Sequence, residues 1–199
     1  MGKLAGQAYI DYWRTRMARG PEEASFDGRD ADRQGEAIWE FIEPCIKRLR
    51  PDTILDFGCG YGRMMRRLRA LWPAAELHGV DLCQEALSSI QQDWRDSEQP
   101  KLSTSIPDRL SVDLIFDCMA LQHITDEITF ENAVMDFHRL NLGGVLVLFE
   151  NISQPRAEHV RDMNAGSYMD LWPGLTWTNT GILRLKGQAH ALMIGVNRG

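Results

Sequence analysis

The chain has 199 residues, 44% of them hydrophobic, with 22 basic and 28 acidic side chains and a net charge of −6. That length and apolar share suit one domain with a full core, and the acid excess argues against a dedicated binder of phosphate backbones. Cys45, Cys59, Cys83 and Cys118 form no CxxC pair or zinc-spaced cluster, the start of the chain shows no apolar leader, and no apolar run is long enough to span a bilayer, so reduced thiols, no metal and a cytoplasmic location are expected.

The first fifty residues read as helical. Apolar spacing predicts a helix over 4–18, stopped by Gly20-Pro21. A polar loop is expected over 21–32. A second helix follows over 31–49, with Ile38, Trp39, Ile42, Cys45, Ile46 and Leu49 on one face. From residue 53 the pattern alternates. Strands are expected over 53–57, 76–80, 101–105, 112–118 and 145–149, helices over 62–72, 83–95 and 127–140, and a turn at Asn141-Leu142-Gly143-Gly144. Strands alternating with helices imply parallel pairing and right-handed crossovers, hence a doubly wound α/β sheet. Residues 151–180 are aperiodic and carry Tyr168, Trp172 and Trp177, which are expected to wall a substrate site. Strand-like runs over 182–186 and 189–196 around Gly187-Gln188 predict a C-terminal hairpin. The domain thus divides into a helical cap over 1–50, a ligand-binding core over 51–150 and a substrate-facing segment with the hairpin over 151–199.

The most informative run is Thr53-Ile54-Leu55-Asp56-Phe57-Gly58-Cys59-Gly60-Tyr61-Gly62. A strand delivers Asp56 to a glycine turn, and a helix begins at once. The glycines let the loop bend and a ligand approach the backbone, and the helix start offers unpaired N–H groups. A dinucleotide site would show GxGxxG. GxGxG led by a carboxylate suits a ligand with an ammonium group instead. Asp81 ends the second strand 19 residues after Gly62, where it can accept hydrogen bonds from both hydroxyls of a ribose. Asp56 and Asp81 together suit an adenosine ligand with an amino-acid end and no phosphates, the make-up of S-adenosylmethionine.

Residues 54–63, Ile54-Leu55-Asp56-Phe57-Gly58-Cys59-Gly60-Tyr61-Gly62-Arg63, resemble the first motif of class I S-adenosylmethionine-dependent methyltransferases. Leu77-His78-Gly79-Val80-Asp81-Leu82 is similar to their ribose-binding motif, residues 112–124 to their fourth-strand motif, and Leu142-Gly143-Gly144 with the run after it to their fifth strand. The resemblance implies a Rossmann-like, mainly parallel seven-stranded sheet closed by an antiparallel strand. It implies methyl transfer from S-adenosylmethionine by in-line displacement. Gly58, Cys59 and Gly60 would pass the cofactor's methionine part and Asp56 would reach its amino end. Asp81 would hold the ribose, Leu82 would pack on adenine, and Ser105 and Ile106 would lie at the adenine edge. The family's acidic residue after the third strand has no counterpart in residues 103–108. Similar methyltransferases lay an N-terminal helix across the cofactor, which makes Trp13 and Arg16 candidates to point inward.

Asp117 and His123 are the catalytic candidates, and Asp117 is also a cofactor-binding candidate. An unpaired carboxylate near the end of a central apolar strand is costly, so Asp117 is either satisfied by a neighbour or faces the sulfonium and the incoming nucleophile. The imidazole of His123 either takes a proton from the nucleophile or caps the following helix. A base is optional, because alignment of nucleophile and methyl supplies much of the rate. A small-molecule acceptor is expected. Arg63, Arg66, Arg67 and Arg69 with Lys47, Arg48 and Arg50 could face RNA, but read first as solvated helix faces. The alternatives are a binding protein without turnover and an RNA-directed methyltransferase. Oligomeric state is not legible.

Overall fold

In the computed structural model, residues 4–20, 31–94, 99–153 and 157–199 are described. Strands β1 Thr53–Phe57, β2 Glu76–Val80, β3 Lys101–Ser103, β4 Val112–Cys118, β5 Leu140–Asn151, β6 Leu175–Leu185 and β7 Gln188–Asn197 form one sheet in the order β3-β2-β1-β4-β5-β7-β6. β1 to β5 run parallel, and β7 lies antiparallel between β5 and β6. The helices are α1 Gly6–Met17, α2 Ala31–Ile46, α3 Arg63–Leu71, α4 Gln84–Asp93, α5 Glu127–Asp136 and the short α6 Ala165–Met169.

The period of two along each strand builds two cores. Ile54, Leu114, Phe116 and Val147 face a layer made by Ile38, Ile42 and Ile46 of α2 and Met65 and Leu68 of α3. Leu55, Ile115, Leu146 and Leu148 face the other way, onto Tyr9 of α1, Phe130 of α5, Tyr168 and Trp172. Burial on both faces explains why β4 and β5 read as near-continuous apolar runs. β1 pairs with β2 on one side and β4 on the other, so the chain reverses direction across the sheet between β1 and β4. In open α/β sheets a ligand crevice forms at that point, outside the strands' carboxyl ends.

The expected loop over 21–32 lies outside the described residues, save 31 and 32, which already open α2. The expected turn at 141–144 is instead part of β5, as an irregularity. Val112 pairs with Leu140 and Leu114 with Val145, so β5 carries extra residues between the two pairs. The hairpin forms, but its turn is Lys186-Gly187, both left-handed at φ 49° and 79°. Two left-handed residues are the geometry of a two-residue hairpin turn, and a lysine in that region left no mark in the composition. The aromatic segment also differs from expectation. Tyr168 and Trp172 are buried, Trp172 stacks on Phe137 with centroids 5.3 Å apart, and its indole N–H donates to the Val134 carbonyl at 3.0 Å. These rings are core, not the wall of a substrate site.

Candidate active site

A cavity of about 600 Å³ opens over the carboxyl ends of β1, β2 and β4. Its floor is the loop from Gly58 to Tyr61. Gly58, Gly60 and Gly62 all take left-handed φ values, 66°, 53° and 74°. At Gly58 a side chain is excluded twice over, because a Cβ there would lie 2.2 Å from the Ala120 Cβ. The loop is pinned by the Cys59 N–H on the Val80 carbonyl at 3.0 Å and by the Gly60 N–H on Asp81 Oδ2 at 2.9 Å. Asp81 Oδ1 accepts the Cys83 N–H at 2.9 Å, so its carboxylate is oriented at the cavity edge with lone pairs left for a hydroxyl.

α1 roofs the cavity with Tyr9, Trp13 and Met17, spaced one helical turn apart. Three contacts tie the roof down. The Gly6 N–H donates to Asp126 Oδ2 at 2.7 Å, the Tyr61 hydroxyl donates to the Met17 carbonyl, and the Tyr12 hydroxyl meets His159 Nδ1 at 3.1 Å. Trp13 packs on His123 at 4.7 Å between centroids, and His123 stacks on His159 at 5.6 Å.

Of the residues singled out from sequence, Asp56, Gly58, Cys59, Gly60, Asp81, Leu82, Ser105, Ile106, Trp13 and His123 line this one cavity. Arg16 is not in the lining. It sits beside Trp13, its guanidinium 5.8 Å from the ring centroid, and donates to the Tyr12 hydroxyl at 3.1 Å. Asp117 is not in the lining either. Its Oδ1 accepts the N–H groups of Ala120 and Leu121 at 3.1 and 3.4 Å, which caps the turn after β4. Its partner is Glu150, whose Oε2 accepts the Gln122 N–H at 2.9 Å. Burial raises the pKa of both carboxyls, and Asp117 raises that of Glu150 further. The charge of one carboxyl thus opposes ionisation of the other. Asp117 therefore holds the loop under the cavity, and the expected contact with the reacting atoms is corrected.

His123 lines the cavity, but its nitrogens are engaged. Gln122 Oε1 accepts the Asn151 N–H at 2.6 Å, which fixes that amide, so Gln122 Nε2 is the donor to His123 Nε2 at 3.1 Å. His123 Nδ1 lies 3.0 Å from the His159 carbonyl, so it carries the proton. Burial, only partly offset by the bond to His159, pushes the imidazole pKa down to about 3. The ring is neutral and its lone pair is taken. That suits a wall, not the proton acceptor that the sequence suggested.

Of the polar atoms buried without a hydrogen-bond partner among the described residues, three belong to residues that line the cavity: Asp56 Oδ2, Trp13 Nε1 and Gln34 Nε2; Arg16 Nε, Asp117 Oδ2 and the others belong to residues outside the lining. Burial, then Asp117 and Asp81, raise the Asp56 pKa well above the carboxylate range. Unpaired buried groups of this kind call for a partner from outside the chain. Asp56 calls for a cation, and the indole N–H of Trp13 calls for an acceptor oxygen. An α-amino acid end supplies both. The residues present therefore fit the cofactor suggested by the motifs.

Sequence reasoning missed Tyr9, Met17, Gln34, Arg63 and Met119, and the α5 residues Thr129, Asn132, Ala133 and Asp136, all of which line the cavity. The α5 set recurs at positions i, i+3, i+4 and i+7, a one-sided helical stripe that could have been read. Met119 takes φ 64°, an arrangement held by its N–H on the Phe149 carbonyl at 2.8 Å, and nothing in the sequence announces it.

Residues 54–141 match the family model described as a methyltransferase domain. Ribosomal RNA large subunit methyltransferase G of Shewanella loihica is 33% identical over a stretch covering 50% of this chain and 29% of that protein. Its counterpart in Shewanella sp. strain ANA-3 is 30% identical with the same coverage. The chain thus spans less than a third of the length of these relatives. Among solved structures, the 1,6-didemethyltoxoflavin-N1-methyltransferase of Burkholderia thailandensis superposes with a TM-score of 0.71 at 17% identity, covering 100% of this chain and 93% of that one. The magnesium protoporphyrin IX methyltransferase of Synechocystis gives 0.68 at 14% identity, covering 94% and 97%. At such identities the likeness establishes the fold.

Proposed function

We propose that the chain, whose residues 54–141 match a methyltransferase domain, is a class I S-adenosylmethionine-dependent methyltransferase that methylates an O, N or C nucleophile of a small molecule. The observation that carries the reading is the roofed cavity with its unpaired charges. Bound S-adenosylmethionine supplies a methyl group on a cationic sulfur, already activated for displacement. The protein's part is to bind, orient and exclude water. Asp56 takes the cofactor's ammonium group, Trp13 Nε1 donates to its carboxylate, and Asp81 takes the ribose hydroxyls. Leu82 and Ile106 flank the adenine, with Ser105 at its edge, and Gly58, Cys59 and Gly60 leave room for the methionine chain. α1 closes over the site and keeps water from the reacting atoms. Asp117 and Glu150 fix the loop that carries Ala120 and His123, so the acceptor meets a rigid wall. Catalysis then rests on alignment, with no proton passing to His123.

A second reading, methylation of RNA, is favoured by the names of the Shewanella relatives. Against it, three of the four α3 arginines have partners within the chain. Arg66 pairs with Asp93 at 3.1 Å, Arg67 with Glu36 at 2.5 Å, and Arg69 donates to the Pro73 and Ala75 carbonyls at 3.0 and 2.7 Å. No described helix is long and apolar enough to cross a membrane. Incubation with methyl-labelled cofactor and either a metabolite extract or purified RNA separates the readings. Label in a small molecule is expected. Label in RNA alone would transfer the proposal to the second reading.

A further inference from the structure

We infer that the methyl acceptor carries a carboxylate or a comparable oxyanion, received by Gln34 of α2 and Arg63 at the start of α3. This rests on the reading of the chain as a methyltransferase with a small acceptor. Gln34 lines the cavity, is only 9% exposed, and its Nε2 has no hydrogen-bond partner among the described residues. A buried amide is normally paired, and one left open on a cavity wall is completed by what enters the cavity. Asp56, Asp81 and Trp13 offer partners for the cofactor's ammonium, ribose and carboxylate, and the open amide of Gln34 is assigned to the acceptor.

Arg63 stands at the same stretch of wall. The residue after Gln34 is Gly35, and a Cβ there would lie 2.7 Å from Arg63 Cδ, so the arginine stem runs across the helix at a point where α2 has no side chain. Arg63 lines the cavity, and its charge acts on Cys118 at the end of β4, where it opposes the rise that burial imposes on that thiol. Arg63 already has a contact within the protein. A guanidinium offers five N–H donors, however, and a carboxylate takes two of them. An amide donor alone would suit any carbonyl. An amide donor beside a guanidinium selects an anion.

The test uses the protein saturated with S-adenosylhomocysteine and matched small probes: benzoate against benzamide, salicylate against salicylamide, and 4-hydroxybenzoate against 4-hydroxybenzamide. Calorimetric titration should show the acid of at least one pair binding about tenfold or more tighter than its amide, the effect of a charge-assisted hydrogen bond. Gln34→Leu and Arg63→Met should each erase that preference and leave S-adenosylhomocysteine affinity within about twofold of the parent, while Arg63→Lys should retain part of it. Amides binding as tightly as acids, or no acid binding at all, would overturn the inference. So would weaker S-adenosylhomocysteine binding by Gln34→Leu, which would put that amide on the cofactor. Failure of the parent protein to bind S-adenosylhomocysteine is a separate result, because it removes the methyltransferase reading itself.

Discussion

Asp56 is a carboxylate at the end of β1, buried to 2% exposure, with an oxygen that no donor reaches. Burial and the charges of Asp117 and Asp81 raise its pKa. A carboxyl shifted upward on folding stabilises the fold below its unfolded pKa of about 3.9 and loses that contribution as pH climbs through the folded pKa. Asp81, Asp117 and Glu150 shift the same way. The unliganded protein should therefore melt at lower temperature as pH rises out of the acid range. An ammonium group seated at Asp56 favours the ionised form and should offset part of that loss. Asp56→Asn should flatten the pH dependence of the unliganded melting temperature and weaken S-adenosylhomocysteine by about tenfold or more. Unchanged affinity in that variant would remove Asp56 from the amino end. At His123 the prediction is kinetic. Losing a general base slows turnover about 10²–10⁴-fold, whereas His123→Gln should slow it by less than about tenfold. The pH profile of kcat should also show no inflection from His123 near neutrality, since its pKa lies at about 3. A hundredfold loss would restore the imidazole as a base.

At the scale of elements, the site exists because two loops interlock at the ends of β1 and β4. Gly58 leaves the gap that the Ala120 methyl group fills, and Ala120 follows the left-handed Met119. Gly58→Ala should cost more than about 2 kcal/mol, because a left-handed alanine alone costs about 1–2 kcal/mol and the two methyl groups would collide. Adding Ala120→Gly removes the collision and leaves Ala120 Cα 3.6 Å from the new Cβ. Chemical denaturation should show the double variant recovering the collision part and keeping the backbone part. If Ala120→Gly brings no recovery, the loops are not coupled as described. The same elements show what the sequence can convey. β1, β2 and β4 fall at the predicted residues because aliphatic runs bounded by turn residues leave few other choices. The glycine loop and Asp81 were legible because a backbone that must bend toward a ligand restricts residue type. The surroundings of Asp117 and His123 were not legible because their partners, Glu150 and the His159 carbonyl, are 33 and 36 residues away in sequence. No local pattern reports a buried carboxyl neighbour or a tautomer. The aromatic segment was misread for a similar reason: Trp172 packs on Phe137, a contact that only the completed sheet creates.

Over the whole molecule, the parts agree. The sheet order places the cavity at the reversal between β1 and β4, the glycine loop gives it a floor, and α1 gives it a roof tied down through Gly6, Tyr12 and Met17. The net charge of −6 and the pairing of Arg66 with Asp93 and of Arg67 with Glu36 are the observations that weigh against a phosphate backbone as acceptor. The cavity, by contrast, presents the unpartnered Asp56 Oδ2 and Trp13 Nε1, which suit the amino and carboxylate groups of an amino-acid end. The most direct test is the melting temperature of the protein with and without S-adenosylhomocysteine, with a nicotinamide dinucleotide as control. At about a hundred times its dissociation constant, S-adenosylhomocysteine should add about 2.7 kcal/mol of stability and raise the melting temperature by about 5–10 °C, with no shift from the dinucleotide. No shift with S-adenosylhomocysteine, together with a clear shift from the dinucleotide, would contradict the account.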